Sequence, residues 1–146
     1  MQAIRFPCFE FTDDALAPLA PLRSGNEMRF FFKRPGALLP IHHQGENRLV
    51  AWGNKKLAAL PRTGFCKIES IEAGKWKWLN PVPVRIIASA GWAKGTWFQV
   101  RQGIRGMLVH DQDGHPHCYV VTQPATHYFK IMTGADRMPM LLDQIL

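Results

Sequence analysis

Residues 37–53 read ALLPIHHQGENRLVAWG, two apolar runs on either side of Gln44-Gly45-Glu46-Asn47. Each run is short, rich in branched side chains and bounded by a glycine-containing polar cluster, which predicts two strands joined as a hairpin. The same texture continues outward. MRFFF at 28–32 precedes the hairpin, set off from it by Arg34-Pro35-Gly36. Beyond it, VRIIASAGW (84–92), TWFQVRQ (96–102), GIRGMLVH (103–110) and CYVVTQ (118–123) are β-branched, aromatic and punctuated by glycine. Residues 110–115 join the last two as a second hairpin, with Asp113-Gly114 supplying the positive φ of a tight turn.

Helical periodicity is scarce. Thr12-Asp13-Asp14 offers an N-cap ahead of a stretch so interrupted by proline that it can hold only a short helix. The other helical candidates are residues 55–60, 71–78 and 138–146. The expected fold is one α+β domain over residues 1–146, β-rich, a partly closed barrel with short peripheral helices.

At 146 residues and 47% hydrophobic composition, the chain can bury a core without disulfide or metal staples. No run approaches the roughly 20 apolar residues of a membrane span. The opening MQAIRFPCFEFTDD lacks the basic-then-apolar order of a secretory signal, so cytoplasm is the expected compartment. Cys8, Cys66 and Cys118 are odd in number and widely spaced, which predicts reduced thiols and neither a disulfide framework nor a zinc module.

Lys and Arg total 18 against 11 acidic residues, and the resulting net charge of +7 attracts polyanions, nucleic acid foremost. The cations alternate with rings in Arg29-Phe30-Phe31-Phe32-Lys33-Arg34 and in Lys75-Trp76-Lys77-Trp78. A single-strand site needs that interleaving, because cations track phosphates while rings stack on unpaired bases. A strand with buried rings and solvated lysines gives the same pattern.

The clearest candidate for metal chemistry is the second hairpin, where His115 and His117 share a strand face and His110 approaches from the paired strand. Pro116 between them and the solvent-facing habit of turn histidines weigh against it, so neither metal nor cofactor is assigned. No serine elbow or Gly-rich phosphate loop is present.

Four segments, in order, carry a resemblance. They are Arg34-Pro35 leading to Leu49-Val50-Ala51-Trp52-Gly53, the CKIES run from Cys66 to Ser70, a strand closing on Ala90-Gly91-Trp92, and VVTQPA followed by DRMPMLL. Together they resemble the SRAP family, the SOS-response-associated peptidase domain that crosslinks to abasic sites in single-stranded DNA. The resemblance spans residues 29–142, and its most specific part is the Asp136-Arg137-Met138-Pro139 loop.

In that family a cysteine at position 2 closes a thiazolidine with the abasic aldehyde, an asparagine seats the sugar, and a glutamate and a histidine complete the site. At the matching positions this chain has Gln2, Phe65, Lys94 and Ala135. The resemblance therefore implies a catalytically degenerate domain in the DNA damage response, one that binds single-stranded or abasic DNA without a covalent bond. Arg137 is expected to contact the DNA backbone, Trp52 to stack on a base, and Lys67, Arg34, Arg29 and Lys94 to supply charge. Glu69 and Asp136 are expected to be structural, Asp136 turning inward to hold the turn. Two alternatives stand beside this. One is an enzyme with a rearranged site using Cys8 after processing, or Lys94 as a Schiff-base amine; the other is an interaction protein that keeps only the fold.

Overall fold

The computed structural model describes residues 1–144. In chain order it runs β1 (Ala3–Pro7), a 3-10 turn (Cys8–Glu10), α1 (Asp13–Leu16), a 3-10 stretch (Ala17–Leu22), β2 (Arg23–Ser24) and β3 (Glu27–Phe31). Then come β4 (Leu38–His43), β5 (Glu46–Trp52), β6 (Phe65–Lys67), α2 (Ile68–Glu72), a 3-10 turn (Lys77–Leu79) and β7 (Val82–Ile86). The last part is β8 (Ala90–Ala93), β9 (Thr96–Gln99), β10 (Ile104–His110), β11 (Pro116–Pro124), α3 (His127–Thr133) and β12 (Arg137–Pro139).

The quoted hairpin is β4 and β5, with Gln44 and Gly45 as its two-residue loop at φ of 50° and 77°. It forms two staves of a closed five-stranded barrel. Strands β7, β4, β5 and β11 pair in that order, and β10 closes the ring by pairing with both β11 and β7. Closure, where the sequence suggests a partly open barrel, follows from the length of β11. Its nine residues pair with β10 and then β12 along one side, and with β5 and then β6 along the other.

Inside, alternate residues interdigitate: Leu39 and Ile41, Val50 and Trp52, Val84 and Ile86, Ile104 and Leu108, Cys118 and Val120. At Gly106 a side chain has no room, since a Cβ there would lie 2.7 Å from the Cys118 sulfur. Outside the barrel wall, Tyr119, Val121, Val109 and Cys66 bury a second cluster under Leu60 and Trp76.

The remaining strands form a separate antiparallel sheet in the order β2-β3-β1-β8-β9, whose inner residues Ile4, Phe6, Met28, Phe30 and Phe98 pack on the barrel core. VRIIASAGW is accordingly not one strand. It is β7 in the barrel, then a crossing at residues 87–89, then β8 in the second sheet. The crossing is held by backbone bonds from Ile87 to Pro40 and from Ser89 to Arg5. Strand β1 lies in a part of the chain where the sequence suggests little beyond a short helix, which does form behind Thr12, its Oγ1 accepting from the Ala15 amide.

Residues 55–60 form turns, because the Asn54 side chain accepts from the Lys56 and Leu57 amides and donates to the Leu57 and Leu60 carbonyls. The helical reading of 71–78 ends early, α2 stopping at Glu72. Of 138–146, the described part contains the end of β12 and a bridge from Leu141 to Ile104, and the last two residues lie outside the described range. Helix α3 instead occupies 127–133, capped by Thr126 and ended by Gly134 at φ 75°.

Candidate functional site

Segments far apart in sequence meet where the start of β1, the end of β6 and β12 come together. Met1, Thr63, Phe65, Lys67, Thr122 and Arg137 line an open cleft of about 370 Å³ there. Beside it, the Gln2 Oε1 accepts from the Lys94 amide at 3.2 Å, and the Lys94 Nζ donates to the Gly134 carbonyl at 3.1 Å. Lys94 and Gly95 are the two-residue loop between β8 and β9, and the two bonds hold Lys94 at φ 45°, a conformation that is uncommon for a lysine. Ala135 follows Gly134, is buried, and is anchored by its amide to the Thr133 Oγ1 at 3.1 Å. Gln2, Lys94 and Ala135 are thus neighbours, with Phe65 in the adjoining cleft wall.

The Arg137 guanidinium belongs to the protein's own bonding. Its two terminal nitrogens donate to the two Glu69 carboxylate oxygens at 2.6 and 2.9 Å, and Nη2 also donates to the Thr122 carbonyl and hydroxyl at 3.0 and 3.1 Å. Its terminal nitrogens are taken and its Nε is buried without a partner, where the sequence suggests a free phosphate contact. The bond from Arg137 is the chief reason that the Glu69 carboxyl titrates at about 2 instead of its ordinary 4.5. Asp136 does not turn inward: its side chain is 79% exposed and pairs with Lys130 at 3.1 Å.

Trp52 is 2% exposed, donates its indole N–H to the Gly64 carbonyl at 3.1 Å, and packs against Phe32 and Phe65. Burial corrects the stacking role expected of it: no base can reach that ring. Phe65, half-buried, is the ring that the cleft presents. Next to Trp52, a Cβ on Gly53 would overlap the Thr63 carbonyl, and the Gly53 carbonyl accepts from His117 Nδ1 at 2.7 Å.

The other cations expected in one groove divide between two places. Lys67 lines the cleft, whereas Arg34 lies over the Phe31 ring and Arg29 lies over Trp97 on the outer face of the second sheet. Lys55 is tied to the carbonyls of Phe32 and Arg34. In the Lys75-Trp76-Lys77-Trp78 run, Trp76 is packed against Tyr119 while Trp78 is exposed.

Cys8 does not bear on the cleft. It sits past the far end of β1 from Met1, about 20 Å away by strand rise. Making it N-terminal by removing residues 1–7 would delete the strand that joins β3 to β8. The three thiols are free and buried, and burial pushes Cys66 up to about 12. Lys67 and Lys94 are exposed, so neither is the desolvated amine that Schiff-base chemistry favours.

In the second hairpin, His117 is buried and His115 exposed. The Asp111 carboxylate accepts from the amides of Asp113 and His115 and meets His117 Nε2 at 3.0 Å, which lowers its titration to about 2, His117 contributing most. Asp111, Asp113 and His115 offer donor atoms within 4.8 Å of one another, but Asp111 is already spent on holding the turn.

Among the described residues, no helix is long and apolar enough to cross a membrane. Comparison with protein-family models, curated proteins and solved structures returned no match.

Proposed function

We propose that the chain is a SRAP-like domain that binds single-stranded DNA non-covalently, with the cleft as the seat for an unpaired or abasic nucleotide in the DNA damage response. The observation that carries this is the convergence of Met1, Phe65, Lys67 and Arg137 on one cleft, with Gln2, Lys94 and Ala135 beside it. Apart from Met1, these are positions that the resemblance to the SRAP family singles out, drawn from four separate stretches of sequence. The cleft offers a ring in Phe65, an ammonium in Lys67 and a fixed wall in the Arg137–Glu69 pair. It offers no thiol and no imidazole: Gln2, Phe65, Lys94 and Ala135 stand where the family keeps its reactive groups, and Cys8 is remote. Binding without covalent chemistry is the function those groups support, in a cytoplasm that keeps the three cysteines reduced.

The test is affinity for a labelled single-stranded oligonucleotide as salt is raised. Each phosphate neutralised contributes a slope of about −0.7 to the log–log plot. Absence of binding at low salt would overturn the proposal. Borohydride treatment with an abasic oligonucleotide should leave the protein at its unmodified mass, and a trapped adduct would restore the enzyme reading.

A further inference from the structure

The outer face of the five-stranded sheet holds charge that the cleft does not use. Strand alternation sends Ile4, Phe6, Met28, Phe30 and Phe98 into the core and leaves Arg5, Arg29, Phe31, Trp92 and Trp97 half-exposed on the opposite side. The register sorts these into two rows. Phe31, Ala3, Trp92 and Trp97 run across four adjacent strands, and in the next row Arg29 lies directly opposite Arg5. The Arg5 guanidinium sits 4.4 Å from the Trp97 ring centre and that of Arg29 sits 5.8 Å away, while Arg34 covers Phe31 at 5.1 Å.

Like charges directly opposite on paired strands repel and destabilise a sheet. Beyond the Trp97 ring, no ion pair offsets them: among the described residues, no carboxylate reaches ion-pair distance of Arg5, Arg29 or Arg34. Glu27, the only acidic residue in β1, β3, β8 and β9, shares this face two residues from Arg29, but it forms no ion pair there and accepts from the Ser89 hydroxyl at 2.8 Å. The Nε atoms of Arg5 and Arg29 are buried with no hydrogen-bond partner, as is that of Arg137, so what sets the pair apart is that neither has the carboxylate that Arg137 has in Glu69. Two guanidiniums are therefore held side by side on an indole, without an ion pair, next to a row of rings.

We infer that this face is a second binding surface, for single-stranded nucleic acid, with phosphates on Arg5 and Arg29 and bases on the row of Phe31, Trp92 and Trp97. Charge complementarity selects a polyanion, and the adjacent rings select one with exposed planar groups, which an unpaired strand offers and a sulfated polysaccharide or an acidic peptide does not. The inference shares only the class of ligand with the proposed function.

The experiment compares the intact protein, the double variant Arg5→Gln with Arg29→Gln, and Lys67→Gln. Each is titrated by fluorescence anisotropy against a labelled oligothymidylate and against a base-free oligomer of the same backbone charge. The double variant is expected to bind about tenfold more weakly or worse, as loss of two charge-assisted contacts requires. Its salt slope should flatten by roughly 1.4, two contacts' worth. Its melting temperature should hold or rise, because a repulsion has been removed. The base-free oligomer should bind the intact protein about fivefold more weakly or worse, the contribution of stacking. Affinity lost in the double variant but kept in Lys67→Gln supports the face and overturns the cleft as the binding seat. Affinity kept in the double variant overturns the face, with or without a fall in melting temperature, and equal binding of the base-free oligomer reduces it to a surface for any polyanion. No binding by the intact protein overturns both.

Discussion

The cleft and the outer face of the second sheet are built from the same residue types, arginine and aromatic rings, and they treat them in opposite ways. In the cleft, the terminal nitrogens of Arg137 are bonded to Glu69 and Thr122, and Trp52 lies in the barrel core behind Phe65 with its indole N–H satisfied. On the sheet, Arg5 and Arg29 face each other across paired strands without a carboxylate, over an indole that remains half-exposed. The difference is in the partners, since an arginine whose charge is already paired with a carboxylate is scaffold, while one without an ion pair retains its binding capacity for a ligand. Sequence proximity of cations and rings does not distinguish the two.

The largest expected effect sharpens the scaffold side. Trp52→Ala removes a buried ring from the barrel and should cost about 3–5 kcal/mol in unfolding free energy, measured by urea titration. Oligonucleotide affinity per folded molecule should not change; a weaker affinity in protein that melts normally would return Trp52 to the binding surface. Next in size, Arg137→Ala should lower the melting temperature by several degrees through loss of the Glu69 and Thr122 bonds, with a smaller effect on binding than Lys67→Gln. The reverse ranking would break the comparison by making Arg137 a ligand contact. The smallest effect is a pH dependence. The Glu69 carboxyl is lowered in the folded state, so its stabilisation is complete above its ordinary 4.5 and is lost as pH falls through about 2. The difference in melting temperature between the intact protein and Glu69→Gln should be constant above pH 4.5 and shrink toward pH 2. A difference that does not vary with pH would mean that the Glu69 charge is not what holds the loop.

Much of the β architecture was legible because it rests on local signals. The β4–β5 hairpin follows from its glycine turn, and the β10–β11 connection follows from Asp113-Gly114. Helix α3 was also within reach, since Thr126 and Gly134 bracket it as N-cap and C-terminal stop, but seven residues give too little periodicity to stand out beside strands. Barrel closure and the sheet switch at residues 87–89 depend on which strands pair at long range, and no local pattern encodes that choice. The same limit applies to the sites. That Gln2, Lys94 and Ala135 are neighbours follows from long-range strand pairing and from no spacing in the chain. Arg5 and Arg29 are 24 positions apart and meet only through the β1–β3 register, while the partner of Arg137 is Glu69 on α2 and not the adjacent Asp136.

The central claim is that the cations left uncompensated are the ones that meet a ligand. An NMR titration of the labelled protein with a short oligothymidylate tests it most directly, by following arginine Nε–H and tryptophan indole resonances together. Arg5, Arg29, Trp92 and Trp97 are expected to shift in a salt-sensitive way while Arg137 and Trp52 stay in place. Shifts confined to Arg137 and Trp52, or no shifts at low salt, would contradict it.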